Sequence, residues 1–113
     1  MSRKAKTILE QSQAEDDLWL SLISIWEVAK KVEKGQLVLD RPIDQWLDAA
    51  TLIQGLHLWE MSRPILVESC ALPRPFHGDP ADQMIVATAR HHGAPIITKD
   101  QKIRDYPHVR TVW

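Results

Sequence analysis

The chain has 113 residues, 44% of them hydrophobic and 26% charged, which is the size and balance of one globular domain and excludes disordered, collagen-like and disulfide-scaffold readings. Its 14 basic and 15 acidic residues give a net charge of -1, so any contact with nucleic acid must come from a local patch. The lone Cys70 cannot close an internal disulfide, which suits a reducing cytoplasm, and reads as a small buried residue on a helix. No run approaches the ~18 apolar residues needed to cross a bilayer, so no membrane role is expected.

The spacing predicts a helix from Ser2 to about Glu15, with Ser2 as cap and Ala5, Ile8 and Leu9 on one face. Leu18 to Ile23 is a short apolar run, as in a buried parallel strand. A helix from about Ile25 to Lys34 follows, capped by Ser24 and stopped by Gly35. After a brief extended piece at Leu37 to Leu39, Asp40 or Pro42 opens a helix with the stripe Ile43, Trp46, Leu47, Ala50 and Ile53, closed by Gly55. Leu56 to Met61 is a second strand, and Ser62 with Pro64 starts a helix to about Ala71. Pro73, Pro75 and Gly78 mark a loop. Asp79 and Pro80 begin the clearest helix, through His92, ended by Gly93. Pro95 to Thr98, a short helix from Asp100, and Val109 to Val112 complete the chain. Strands alternating with helices argue a three-layer α/β domain with a mainly parallel sheet.

No glycine-rich phosphate loop, zinc-ligand spacing or nucleophile elbow is present. The chemistry is in carboxylates. Glu27, Asp79, Asp82 and Asp100 fall just after strands or at helix starts, along the carboxyl edge where open parallel sheets bind ligands. Each has a structural alternative: Ser24 to Glu27 and Asp79 to Asp82 read as capping boxes, and Asp100 as a cap. If three such acids converge, each close pair costs ~4 kcal/mol at 4 Å and an effective dielectric of 20, which calls for a shared proton or a divalent cation. An all-oxygen site of this type selects Mg²⁺ or Mn²⁺. Candidate RNA contacts are Lys30, Lys31, Lys34, Arg41, Lys99, Lys102 and Arg104. Trp26, Trp46 and Trp59 read as core or interface residues, and His77 as a loop histidine that could contact phosphate but more simply has no role.

The strings Ser21-Leu-Ile-Ser-Ile-Trp-Glu27, His77-Gly-Asp-Pro-Ala-Asp82-Gln-Met-Ile-Val-Ala-Thr-Ala89 and Gly93-Ala-Pro-Ile-Ile-Thr-Lys-Asp100 resemble the PIN-domain ribonucleases, specifically toxins of the VapC kind in toxin-antitoxin pairs. The resemblance covers essentially the whole chain in order. It implies an α/β/α fold, Mg²⁺- or Mn²⁺-dependent hydrolysis of RNA, a homodimer and inhibition by a cognate antitoxin. By position Glu27, Asp82 and Asp100 match the family's second, third and fourth acids, and Asp79 a position common in this subgroup.

Family members usually begin with a strand ending in Leu-Asp-Thr, which carries the first acid, then a helix. This sequence begins at the region that follows them. The resemblance therefore implies a single PIN-like domain over residues 1–113 lacking roughly 20 to 25 positions, with a central strand among them. Three accounts stay open: a start codon assigned too far downstream, a gene remnant, or a strand supplied by another chain. The leading functional expectation is a metal-dependent endoribonuclease toxin, its activity impaired. The alternatives are a non-catalytic remnant that binds antitoxin or dimerises, and a flavodoxin-like phospholigand domain.

Overall fold

The protein, as a computed structural model, is described over residues 2–113. Ten elements follow one another: α1 (Arg3–Ala14), β1 (Leu18–Ser21), α2 (Ile23–Glu33), α3 (Ile43–Thr51), β2 (Leu56–Trp59), α4 (Arg63–Ser69), α5 (Pro80–His92), β3 (Ile96–Ile97), α6 (Gln101–Arg104) and β4 (Thr111–Val112). Ser2 caps α1, accepting from the Ala5 amide at 3.0 Å. Gly93 ends α5 in the left-handed conformation, φ 65°, that a residue without a Cβ adopts at no steric cost. Gly55, at φ 86°, lies so close to the Gln13 carbonyl that any side chain there would collide with it.

The strands pair only in parallel. β1 runs beside β2, Leu18 opposite Leu56 and Ser21 opposite Trp59, and β3 runs beside β4, Ile96 opposite Thr111. Parallel neighbours need crossovers, which α2 with α3 supply for the first pair and α6 for the second. The architecture is the expected three-layer α/β/α, but the strands form two ladders of two rather than one sheet, and among the described residues no strand joins them.

The core lies in the second half. Ile65, Leu72, Val86, Ala87, Ile103 and Tyr106 are buried together, with Met61, Phe76, Ile96 and Val109 packed against them. Tyr106 donates its hydroxyl to the Pro73 carbonyl at 2.7 Å, and Arg90 bridges α5 to Glu68 of α4 at 3.0 Å. By contrast α2 and α3 contain no fully buried residue.

Several expectations are corrected. α2 starts at Ile23, so Ser24 is not its cap; Leu22 precedes it in an already helical conformation with no side-chain cap. The ladder sets this register, because the Leu22 amide still donates to the Trp59 carbonyl at 2.9 Å. α3 ends at Thr51, which leaves Ile53 outside the helix and half exposed. Leu37 to Leu39 joins no ladder. Cys70 is exposed, since α4 ends at Ser69 and it is Ser69 that turns inward, donating to the Leu66 carbonyl at 2.6 Å. Trp26 is 53% exposed and so is not a core residue.

Candidate metal centre

Because α2 begins early, Glu27 sits in its second turn instead of at the N3 position of a capping box. It makes no side-chain hydrogen bond to a described residue, and α2 packs on α5. Partial burial is the main cause that raises the Glu27 pKa, and the charge on Asp82 is the next; Lys31 opposes them, while Asp79 and Asp100 add to the rise. The acids of three separate junctions thus lie in one field.

Asp79 does act as a cap. Its Oδ1 accepts from the Asp82 amide at 3.1 Å, with Pro80 at the first helical position. The reciprocal half of the box is not formed: the Asp82 carboxylate turns to His77 instead, Oδ2 lying 3.3 Å from Nε2. Burial raises the Asp82 pKa, Asp79 and Asp100 raise it further, and His77 and Lys102 oppose the rise. Asp100 caps α6, accepting from the Lys102 amide at 2.9 Å, and its own amide donates to Thr98 Oγ1 at 3.0 Å. Capping, worth ~1 kcal/mol, therefore accounts for one oxygen each of Asp79 and Asp100 and for neither carboxylate of Glu27 and Asp82.

The sequence offers His77 at most as a phosphate contact; its place beside Asp82 is not foreseen, because no ligand spacing marks it. Its side chain is 24% exposed and that of Asp82 14%. The ring stacks on Phe76 at 4.4 Å, and Phe76 meets the buried Tyr106 edge-on at 4.7 Å. Both ring nitrogens are buried without a hydrogen bond, because the contact with Asp82 has the distance but not the alignment. An unsatisfied buried polar group costs ~1 to 3 kcal/mol.

The basic residues divide. Lys30 is taken by Glu33 at 2.7 Å and lies 6.0 Å over the Trp26 ring. Lys31 and Lys102 are the lysines whose charge reaches Glu27 and Asp82. Lys99 is exposed on the approach to Asp100. A cavity of about 450 Å³ lies around the other end of α5 and is lined by none of the four acids; Glu68, Arg90, His108 and Arg110 are among its lining residues.

Among the described residues no three His, Cys, Asp or Glu side chains lie within coordinating distance of one point. The donor set nevertheless fits a hard divalent cation in its chemistry. It offers only carboxylate oxygens, two of its members are partly buried and repelled by the others, and the buried nitrogens of His77 border it.

The family model of the PIN domain matches residues 1–109. The chain belongs to the PIN-domain family. It is also 36% identical, over 100 residues, to Ribonuclease VapC22 of Mycobacterium tuberculosis (strain ATCC 25618 / H37Rv), an alignment that covers 87% of this chain and 75% of that protein. These two matches make it a VapC-like PIN-domain ribonuclease. PIN nucleases generally use divalent metal ions, and the VapC kind implies an RNA substrate and a cognate antitoxin. Among the described residues of this PIN domain, no helix is long and apolar enough to cross a membrane.

Proposed function

We propose that this PIN domain, one unit over residues 1–113, is a metal-dependent endoribonuclease that acts in the cytoplasm as the toxin of a toxin-antitoxin pair. What carries the reading is the placement of Glu27 and Asp82, half-buried, mutually repelling and free of capping roles, beside the caps Asp79 and Asp100. Glu27, Asp82 and Asp100 would hold Mg²⁺ or Mn²⁺, directly or through waters, with Asp79 at the margin. Such an ion, when bound, lowers the pKa of a coordinated water and stabilises charge on the scissile phosphate.

The chain's own contribution is positioning. The capping bonds of Asp79 and Asp100 fix both carboxylates at the starts of α5 and α6, each with one oxygen left over. Lys31 and Lys102 border the acids, and together with Lys99 they would draw the RNA backbone toward them; Lys30, engaged with Glu33, would contribute less. Replacing Lys102 by alanine should reduce the salt slope of RNA binding by about one unit.

Exposed apolar residues favour a second reading, that of a module that binds antitoxin or pairs with a second copy without cutting RNA. Val38 is 90% exposed, Leu52 82% and Trp26 53%. One experiment separates the two: incubation with RNA in Mg²⁺, in Mn²⁺ and in chelator, for the native chain and for the double variant Asp82→Asn, Asp100→Asn. Cleavage that needs the metal and is lost in the variant is expected. No turnover in any arm would leave the binding module, and equal turnover in all arms would remove the metal-dependent reading.

A further inference from the structure

The loop between α4 and α5 brings one histidine against an acid that no other side chain holds. Asp82, at the third position of α5, would reach back to the Asp79 amide if it completed the capping box, and it does not. Its Oδ2 instead faces His77 Nε2 at 3.3 Å. The histidine is itself anchored from behind. Its ring stacks on Phe76, Phe76 lies edge-on against Tyr106, and Tyr106 is 4% exposed in the core, tied to the loop through the Pro73 carbonyl. A rigid aromatic column thus runs from the core to the carboxylate.

Both ring nitrogens are shielded from water and lack a partner. Asp82 Oδ2 is an acceptor within reach, and a small rotation of the ring would align an Nε2–H with it. Hydrogen bonds of this type are often long or misaligned in an empty site and tighten when it fills. Carboxylates that ligate a metal are commonly held by such outer contacts, whose loss weakens binding by 10- to 100-fold.

We infer that His77 is a positioning residue for Asp82, whose Nε2–H holds one carboxylate oxygen and leaves the other free for a divalent ion. This rests on the reading of Asp82 as a ligand of a divalent ion. The role explains why a histidine occupies a site where a phenylalanine would stack on Phe76 equally well and leave no nitrogen buried.

The test is Mn²⁺ binding to the full chain, followed by electron paramagnetic resonance of the free ion, with melting temperature measured in parallel. His77→Phe keeps the stacked ring and removes both buried nitrogens, and should bind Mn²⁺ about tenfold more weakly at a melting temperature no lower than that of the native chain. His77→Gln, which restores an N–H donor, should recover most of the loss. Native-like Mn²⁺ affinity in His77→Phe, with affinity lost in Asp82→Asn, would overturn the positioning role while leaving the metal site intact. Native-like affinity in Asp82→Asn would remove the metal reading, and this inference with it.

Should His77→Phe fail to fold, the native protein decides by ¹⁵N resonance of the imidazole. A ring that carries a proton on Nε2, whose signal moves on addition of Mg²⁺, supports the role; a ring protonated on Nδ1 alone overturns it.

Discussion

The two halves of the molecule are built to different standards. From Arg63 onward the helices α4, α5 and α6 close on a core in which Ile65 is 1% exposed and Val86 and Ala87 are fully buried. Between Leu18 and Trp59 the same alternation of strand and helix leaves α2 and α3 without a buried residue, and Trp19, Leu22, Trp26, Val38, Leu52 and Ile53 exposed to varying degrees. Two-stranded parallel ladders are seldom stable alone, because parallel sheets require cover on both faces. The second half meets that need with its own helices; the first meets it mainly through α2 against α5. The acids straddle the divide, Glu27 on the loosely packed side and Asp79, Asp82 and Asp100 on the tightly packed one.

This contrast can be broken most forcefully in the core. Ile65→Ala should cost about 3 kcal/mol and lower the denaturation midpoint, as fully buried large-to-small changes do. Leu52→Ser, at a position 82% exposed, should stay within about 0.5 kcal/mol. Similar losses in chemical denaturation would deny that the halves differ.

A smaller effect tests how the first half is held. Ser2→Ala removes a formed cap and should cost ~1 kcal/mol, whereas Ser24→Ala should cost almost nothing, because the ladder bond from Leu22 to Trp59 and not a side-chain cap starts α2. Equal losses in thermal melts would restore the capping box at Ser24.

The smallest effect concerns charge. Asp82 has its pKa raised in the folded state, so its ionised form opposes folding at neutral pH; the stability it allows is complete below the ordinary carboxylate range and is lost as pH rises through the raised value. Asp82→Asn should therefore melt slightly higher than the native chain at pH 7, with the gain vanishing in acid. A lower melting temperature for the variant at neutral pH would contradict the repulsion.

How far this was legible in the sequence follows the same divide. The helix from Asp79 to Gly93 could be read almost to the residue, since its cap, its Pro80 and its terminal glycine are all local signals. Local signals misled at Ser24 to Glu27, where a hydrogen bond to a strand more than thirty positions away fixes the register. They misled again at Cys70, because the end of α4 decides which of two adjacent small residues turns inward. The candidate acids were picked from their positions at strand ends, and the caps formed by Asp79 and Asp100 from their places at helix starts. His77 was not, since its place beside Asp82 comes from an aromatic column that reaches back to Tyr106, on a distant stretch of chain.

The claim that joins these parts is that a divalent ion ties the loose half to the tight one through Glu27. Amide hydrogen exchange with and without Mn²⁺, on the native chain and on Glu27→Gln, tests it most directly. The expected result is that Mn²⁺ slows exchange throughout α2 as well as at the start of α5 in the native chain, and that the protection of α2 disappears in the variant. Mn²⁺ protecting the start of α5 alone, equally in both proteins, would contradict it.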